Sequence, residues 1–255
     1  PYNTQPYDTE DRMDRFSNLV IGVDVLRGGT RISAGAKAAI TQSKWLAKKT
    51  GAKLPLLHST WNEHDGDDAG VVTVEALASE IASDGFDVDL AVRSDRPWLE
   101  LIRHVIRKQA DLVVVGKRKR NSASPTPLGR ATRKLLRKCP TPVWAVHPRH
   151  CLEPESVLAA TDLSGVGDLV TQLGAWISGL ASCRLDVVHV WQVGIELQME
   201  ASRMSESEYA AAVLSIENDA RARIASALEG APDPAALEVH LGKGRPSTSI
   251  LEACA

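Results

Sequence analysis

Aromatic residues are scarce in this 255-residue chain, at 4%, with only 2 Phe and 3 Tyr beside 6 Trp. That leaves little material for the stacking platforms on which single-stranded nucleic acids are held. Cysteine is equally sparing. Cys139, Cys151, Cys183 and Cys254 show neither CxxC nor CxxH spacing, which argues against a zinc site and fits reduced thiols in a cytoplasm. No apolar run approaches the roughly 18 residues of a membrane span, and the polar, acidic opening of the chain shows no signal peptide. The sequence begins at Pro1 rather than Met, which predicts a natural N-terminus that is either missing or processed. GxSxG, HExxH and GxxxxGK[ST] are all absent, so the common hydrolase, zinc-protease and P-loop signatures are excluded.

What is present is the material of a soluble α/β protein. An apolar content of 44% with 24% charged residues can bury a substantial core. The length suits one large domain or two ordinary ones. A net charge of -2 hides an asymmetry: of 30 Lys and Arg and 32 Asp and Glu, residues 1–150 hold most of the cations and the remainder is strongly acidic. Such a split implies different tasks for the two halves, or attraction between them.

Hydrophobic periodicity alternates between strand and helix along the chain. LVIGVDVL (Leu19 to Leu26) reads as a strand buried on both faces, and residues 30–49 as a helix with Ile32, Ala36, Ala39, Ile40 and Leu46 on one stripe. KLPLLHSTW, DVDLAVRS, DLVVVG and PVWAV give four more strands, with helices over 71–83, 97–108 and 128–138 between them. Strands alternating with helices predict an open parallel five-stranded sheet covered on both faces, a Rossmann-like arrangement.

The pattern then repeats. VLAATDLS places Asp162 where LVIGVDVL has Asp24, and RLDVVHVW places His189 where KLPLLHST has His58. LEVHLGKGRP aligns with VDLAVRSDRP, including both Arg-Pro pairs. The predicted domains are residues 17–148 and 155–255, joined by a linker marked by Pro148 and Pro154. Matched against the first repeat, the second stops about forty residues short, before a fourth strand, its loop and a fifth strand.

The stretch from Asp111 to Val146 has the parts of a phosphate cradle: a strand ending in Gly116, a loop, Gly129 and a helix. Backbone N–H groups and the helix dipole favour an anion at such a helix start. The loop, however, carries Lys117, Arg118, Lys119 and Arg120 where small residues would be usual.

Together these residues resemble the universal stress protein family in its tandem two-domain form. Nucleotide-binding members carry an acidic residue after strand one and a G-x2-G-x9-G-[ST] pattern after strand four. Here Gly116, Lys119, Gly129 and Arg130 occupy the four positions, so two keep glycine while Lys and Arg replace the second glycine and the hydroxyl. The resemblance implies ATP as the ligand to test and a stress-response role. The residues themselves say that the compact phosphate fit is altered, since lysine adds a Cβ and a long chain where backbone should approach. In the second repeat Asp162 and Ser164 keep the strand-one pattern without the loop they would serve.

Two readings stay open for the aspartates. Each faces a ligand at the carboxyl edge of the sheet, or each caps the following helix; the ATDLS context inclines Asp162 toward ligand. Arg130, Arg133, Lys134 and Arg137 form one cationic helix face, with Leu128, Ala131, Thr132, Leu135 and Leu136 predicted opposite it in the core. That face could bind a polyanion, or remain a solvated surface; without interleaved aromatics or a nucleic-acid motif, nucleic acid is disfavoured. His58 and His189 are expected to pack structurally, and Glu63 to Asp68 to form a loop without EF-hand spacing. The apolar strand around Pro142 to Val146 should pair with its counterpart in another copy, giving a homodimer. The functional expectation is binding and association rather than catalysis. The alternatives are an ATP-binding protein with weak hydrolysis, or a polyanion-binding module using residues 117–138.

Overall fold

The structure is a computed structural model and describes residues 16–26, 28–61, 68–117, 128–149, 153–191 and 204–253. The chain divides into two compact units, Pro1–Glu153 and Pro154–Ala255.

The first unit holds β1 (Leu19–Val23), α1 (Ala34–Thr50), β2 (Leu56–Ser59), α2 (Ala69–Ser83), β3 (Leu90–Arg93), α3 (Pro97–Lys108), β4 (Leu112–Gly116), α4 (Arg130–Lys138) and β5 (Val143–Val146). Its strands are parallel and ordered β3-β2-β1-β4-β5. Right-handed crossovers in that order set α1 and α2 on one face and α3 and α4 on the other. Leu19, Val20 and Ile21 are completely buried, because β1 is covered on both faces. On the second face, Val20, Leu57, Ala91, Val113 and Val115 meet Leu101 and Val105 of α3 and Leu135 of α4. The five-stranded parallel sheet expected from the periodicity is therefore present.

The second unit repeats the first six elements: β6 (Ser156–Thr161), α5 (Gly165–Ala181), β7 (Arg184–Trp191), α6 (Glu206–Leu228), β8 (Ala236–Lys243) and α7 (Pro246–Ala253). Among the described residues its parallel sheet has three strands, ordered β6-β7-β8. Ala159, Leu185 and Val187 pack against Ala175 of α5 and Ile224 of α6. The Arg-Pro pairs also fold alike. Arg96 precedes α3 and accepts from Leu99 and Glu100 N–H, while Arg245 precedes α7 and accepts from Thr248 and Ser249 N–H.

Two boundaries depart from the periodicity. β1 ends at Val23 and α1 begins only at Ala34, because Val25 and Ile32 form an antiparallel bridge. Gly28 and Gly29 turn this small hairpin with φ of 88° and 68°. Its tip rests on α2, where Thr73 Oγ1 donates to the Gly29 carbonyl. The apolar alternation through Leu26 was the hairpin's own, not the strand's. On α4, Thr132 and Leu135 are buried as expected, but Ala131 and Leu136 are exposed. A short helix packed at one edge buries a narrower stripe than the pattern implies.

Candidate functional site

In doubly wound sheets the carboxyl ends of the strands carry ligands where the strand order reverses. In the first unit that point lies between β1 and β4, so Asp24 and Gly116 sit at the expected edge. Asp24 is exposed there. It does not cap α1: Ser33 does, its Oγ accepting from Ala36 N–H at 3.1 Å. The inserted hairpin closes with the two residues at its base, where the Asp24 carbonyl accepts from Ser33 N–H at 2.8 Å.

The two glycines of the cradle do different things. A Cβ on Gly116 would run into the backbone of Gly35, and one on Gly35 would lie 2.8 Å from the Lys117 carbonyl oxygen. Glycine at both positions lets the start of α1 cross the end of β4 at close range, so Gly116 is explained by packing alone. Gly129 is the reverse case. It is the N-cap of α4, with ordinary φ of -62°, and among the described residues a Cβ there would meet nothing within 4 Å. Among the described residues, neither strain nor crowding requires glycine at this position.

Among the described residues no side chain caps α4, and no acidic residue stands in its first turn. Arg130, Arg133 and Arg137 are exposed along it. Lys134 and Lys138 instead lie over the Trp98 ring, 4.7 and 5.6 Å from its centroid. The cationic face is thus partly committed to an aromatic neighbour within its own unit. Lys119, Arg118 and Arg120 lie outside the described residues, as do Glu63 to Asp67.

In the second unit, Asp162 and Ser164 act together. Asp162 Oδ1 accepts from Ser164 Oγ at 2.6 Å and from Ser164 N–H at 3.0 Å. Ser164 Oγ in turn accepts from Gly167 N–H at 3.2 Å, capping α5. The hydrogen bonds from Ser164, side chain foremost, hold the Asp162 carboxyl below its ordinary range. Asp162 therefore supports a cap instead of being one. A Cβ on Gly167 would collide with Thr161 Oγ1, so this turn also needs glycine for close approach.

The two histidines make the same bond in both units. His58 Nδ1 lies 3.1 Å from the Val23 carbonyl oxygen, and His189 Nδ1 lies 2.9 Å from that of Thr161. A carbonyl only accepts, so each ring carries its proton on Nδ1. Each is buried at the end of the second strand and ties it to the end of the first.

Sequence reasoning missed a cluster elsewhere. Asp186, Glu238 and His240 bring two carboxylates and an imidazole within 4.8 Å of one another. The available signal was a break in pattern: Asp186 and His240 each stand between apolar residues inside a strand. The trio falls in no known short spacing because it is assembled across a strand pair.

Comparison with known proteins agrees with the fold. The universal stress protein family matches residues 16–147. A candidate universal stress protein from Pseudomonas aeruginosa superposes with a TM-score of 0.64 at 20% identity, over 95% of this chain and 79% of that one. A universal stress protein from Archaeoglobus fulgidus gives a TM-score of 0.60 at 17% identity, over 93% and 82%. A family protein from Arabidopsis thaliana with AMP bound gives 0.42 at 17% identity, over 54% and 95%. No curated protein matches the chain in sequence. No helix among the described residues is long and apolar enough to cross a membrane.

Proposed function

The chain belongs to the universal stress protein family, and we propose that it serves a stress response in the cytoplasm by binding and association rather than catalysis. In this reading the carboxyl edge of the first sheet takes a phosphate-bearing ligand, with ATP as the natural probe. The observation that carries it is the start of α4: among the described residues, a glycine N-cap with open space above it, no side-chain cap and no acid in the first turn. First-turn N–H groups in that setting attract an anion. Arg130 adds charge where the family's nucleotide binders have a hydroxyl. The expected result is weak, salt-sensitive binding rather than a tight pocket.

Calorimetric titration of ATP tests this. Wild-type protein should show saturable binding, and Gly129→Trp should lose it while keeping its circular dichroism spectrum. Absence of binding in the wild type would retire the ligand reading.

Association follows from β5. Among the described residues it pairs only with β4, so it is an edge strand, and Val143 to Ala145 are half-buried. Trp144 meets Trp45 of α1 edge-to-face at 6.4 Å. An edge of this apolar character is suited to pairing with the same strand of a second copy. Sedimentation should show a dimer, and Ala145→Pro, which removes an N–H, should shift it to monomer.

A further inference from the structure

The register of β7 and β8 sets Asp186 directly beside Glu238, and Val188 beside His240. With a side-chain period of two, Asp186, Glu238 and His240 share one face of the sheet. That face is opposite the one on which Leu185, Val187 and Val239 meet α5 and α6. The trio lies toward the amino ends of the strands. α7 covers the other end of this face, where Ser249 approaches Gly242 and Val190. The cluster is therefore away from the carboxyl edge that Asp162 and Ser164 mark.

The repeat makes the cluster unusual. Pairing of Val23 with His58 and of Thr161 with His189 aligns the two sheets. On that alignment Pro55 and Ala91 of the first unit stand where the second has Asp186 and His240. Ala91 is a core residue. At those two positions the second unit has ionisable groups where the first has apolar ones, while Glu238 falls on Asp89, an acid in both units.

Asp186 is only 4% exposed, and it has a second carboxylate as its in-register neighbour. Adjacent like charges on a half-buried sheet face are unfavourable unless a cation joins them. Arg184 supplies one partner, its Nε donating to Asp186 Oδ2 at 2.8 Å. Asp186 Oδ1 is left facing His240 Nε2 at 2.9 Å, beside Glu238.

We propose that Asp186, Glu238 and His240 form a divalent transition-metal site, with zinc as the natural probe. Asp186 Oδ1, a Glu238 carboxylate oxygen and His240 Nε2 are its three protein ligands. One imidazole nitrogen and two carboxylate oxygens suit zinc, and three ligands leave one position to water. The metal takes the place of the hydrogen bond between Nε2 and Oδ1, and any proton on Nε2 moves to Nδ1 or to solvent. Small side-chain movements bring the three donors, now within 4.8 Å of one another, onto one ion. Arg184 keeps its bond to the second Asp186 oxygen and so orients the ligand carboxylate, as outer-shell partners do.

The test is zinc binding to the whole chain, read by competition with a chromophoric chelator and by the rise in melting temperature. Wild-type protein should bind one zinc ion and melt higher with it. His240→Gln, which preserves a hydrogen bond to Asp186, should lose both effects. Glu238→Gln is exposed and safe for folding; it should weaken binding at least tenfold, and Arg184→Gln about tenfold through the orienting bond. Cobalt substitution should give a visible d–d band that disappears in His240→Gln. Absence of zinc binding to the wild type, or wild-type affinity in His240→Gln or in Glu238→Gln, would overturn the assignment. If His240→Gln fails to fold, the Glu238→Gln affinity alone decides.

Discussion

The two units run the same six-element plan with opposite treatment of one sheet face. In the first, Val20, Leu57, Ala91 and Val113 are sealed beneath α3 and α4. In the second, the matching face carries Asp186, Glu238 and His240. The shared parts are those the backbone needs: a serine cap on the first helix, a histidine tying strand two to strand one, and an Arg-Pro start to the third helix. The divergent parts carry chemistry. The comparison teaches that a duplicated scaffold keeps what closes its strand ends and changes what its faces display.

Close approach of backbone is the sharpest point at which the comparison could break. Gly116→Ala should destabilise the first unit by about 3 kcal/mol or more, since the clash is with backbone that cannot swing away. Gly129→Ser should instead be neutral or slightly stabilising, because it adds a cap oxygen in open space. Chemical denaturation separates them, and equal losses would contradict the distinct roles given to the two glycines.

The histidine ties come next. His58→Leu and His189→Leu each strand a buried strand-end carbonyl, at a cost of about 1–3 kcal/mol. Loss in one unit only, read by thermal melting, would show that the repeated bond is not equivalent.

The caps give a smaller effect. Ser33→Ala and Ser164→Ala should each cost about 1 kcal/mol. Adding Asp162→Ala to Ser164→Ala should cost less than the two separate losses, because Asp162 acts through Ser164. Adding Asp24→Ala to Ser33→Ala should be closer to additive, as Ser33 Oγ bonds Ala36 N–H and Asp24 holds Ser33 through its backbone carbonyl, which alanine keeps. A double-mutant cycle measures both.

The smallest effect is a pH slope confined to the first unit. Burial, foremost, pushes the His104 imidazole below 6.5. The unfolded chain then takes up a proton that the folded chain refuses, so stability falls as pH drops below about 6.5. The slope should be no steeper than about 1.4 kcal/mol per pH unit. His104→Leu should remove it. The repeat alignment sets Ala253 at this position in the second unit, so no counterpart is expected there.

The sheet, the repeat and most element bounds were legible because buried parallel strands read as short apolar runs and the helices as longer periodic ones. The hairpin was not, since Val25 and Ile32 continue the apolar signal past the strand end. Site legibility was uneven. Gly116 and Gly129 look alike in sequence, yet one is fixed by Gly35 and the other stands in open space. The capping of α1 by Ser33 was hidden by the same hairpin. Asp186, Glu238 and His240 were invisible as a group because only strand register brings them together.

Hydrogen–deuterium exchange with and without ATP would test the central claim most directly, by following the first-turn amides of α4. The account predicts ATP-dependent protection over residues 130–133, absent in Gly129→Trp. Protection confined to the second unit, or none at saturating ATP, would contradict it.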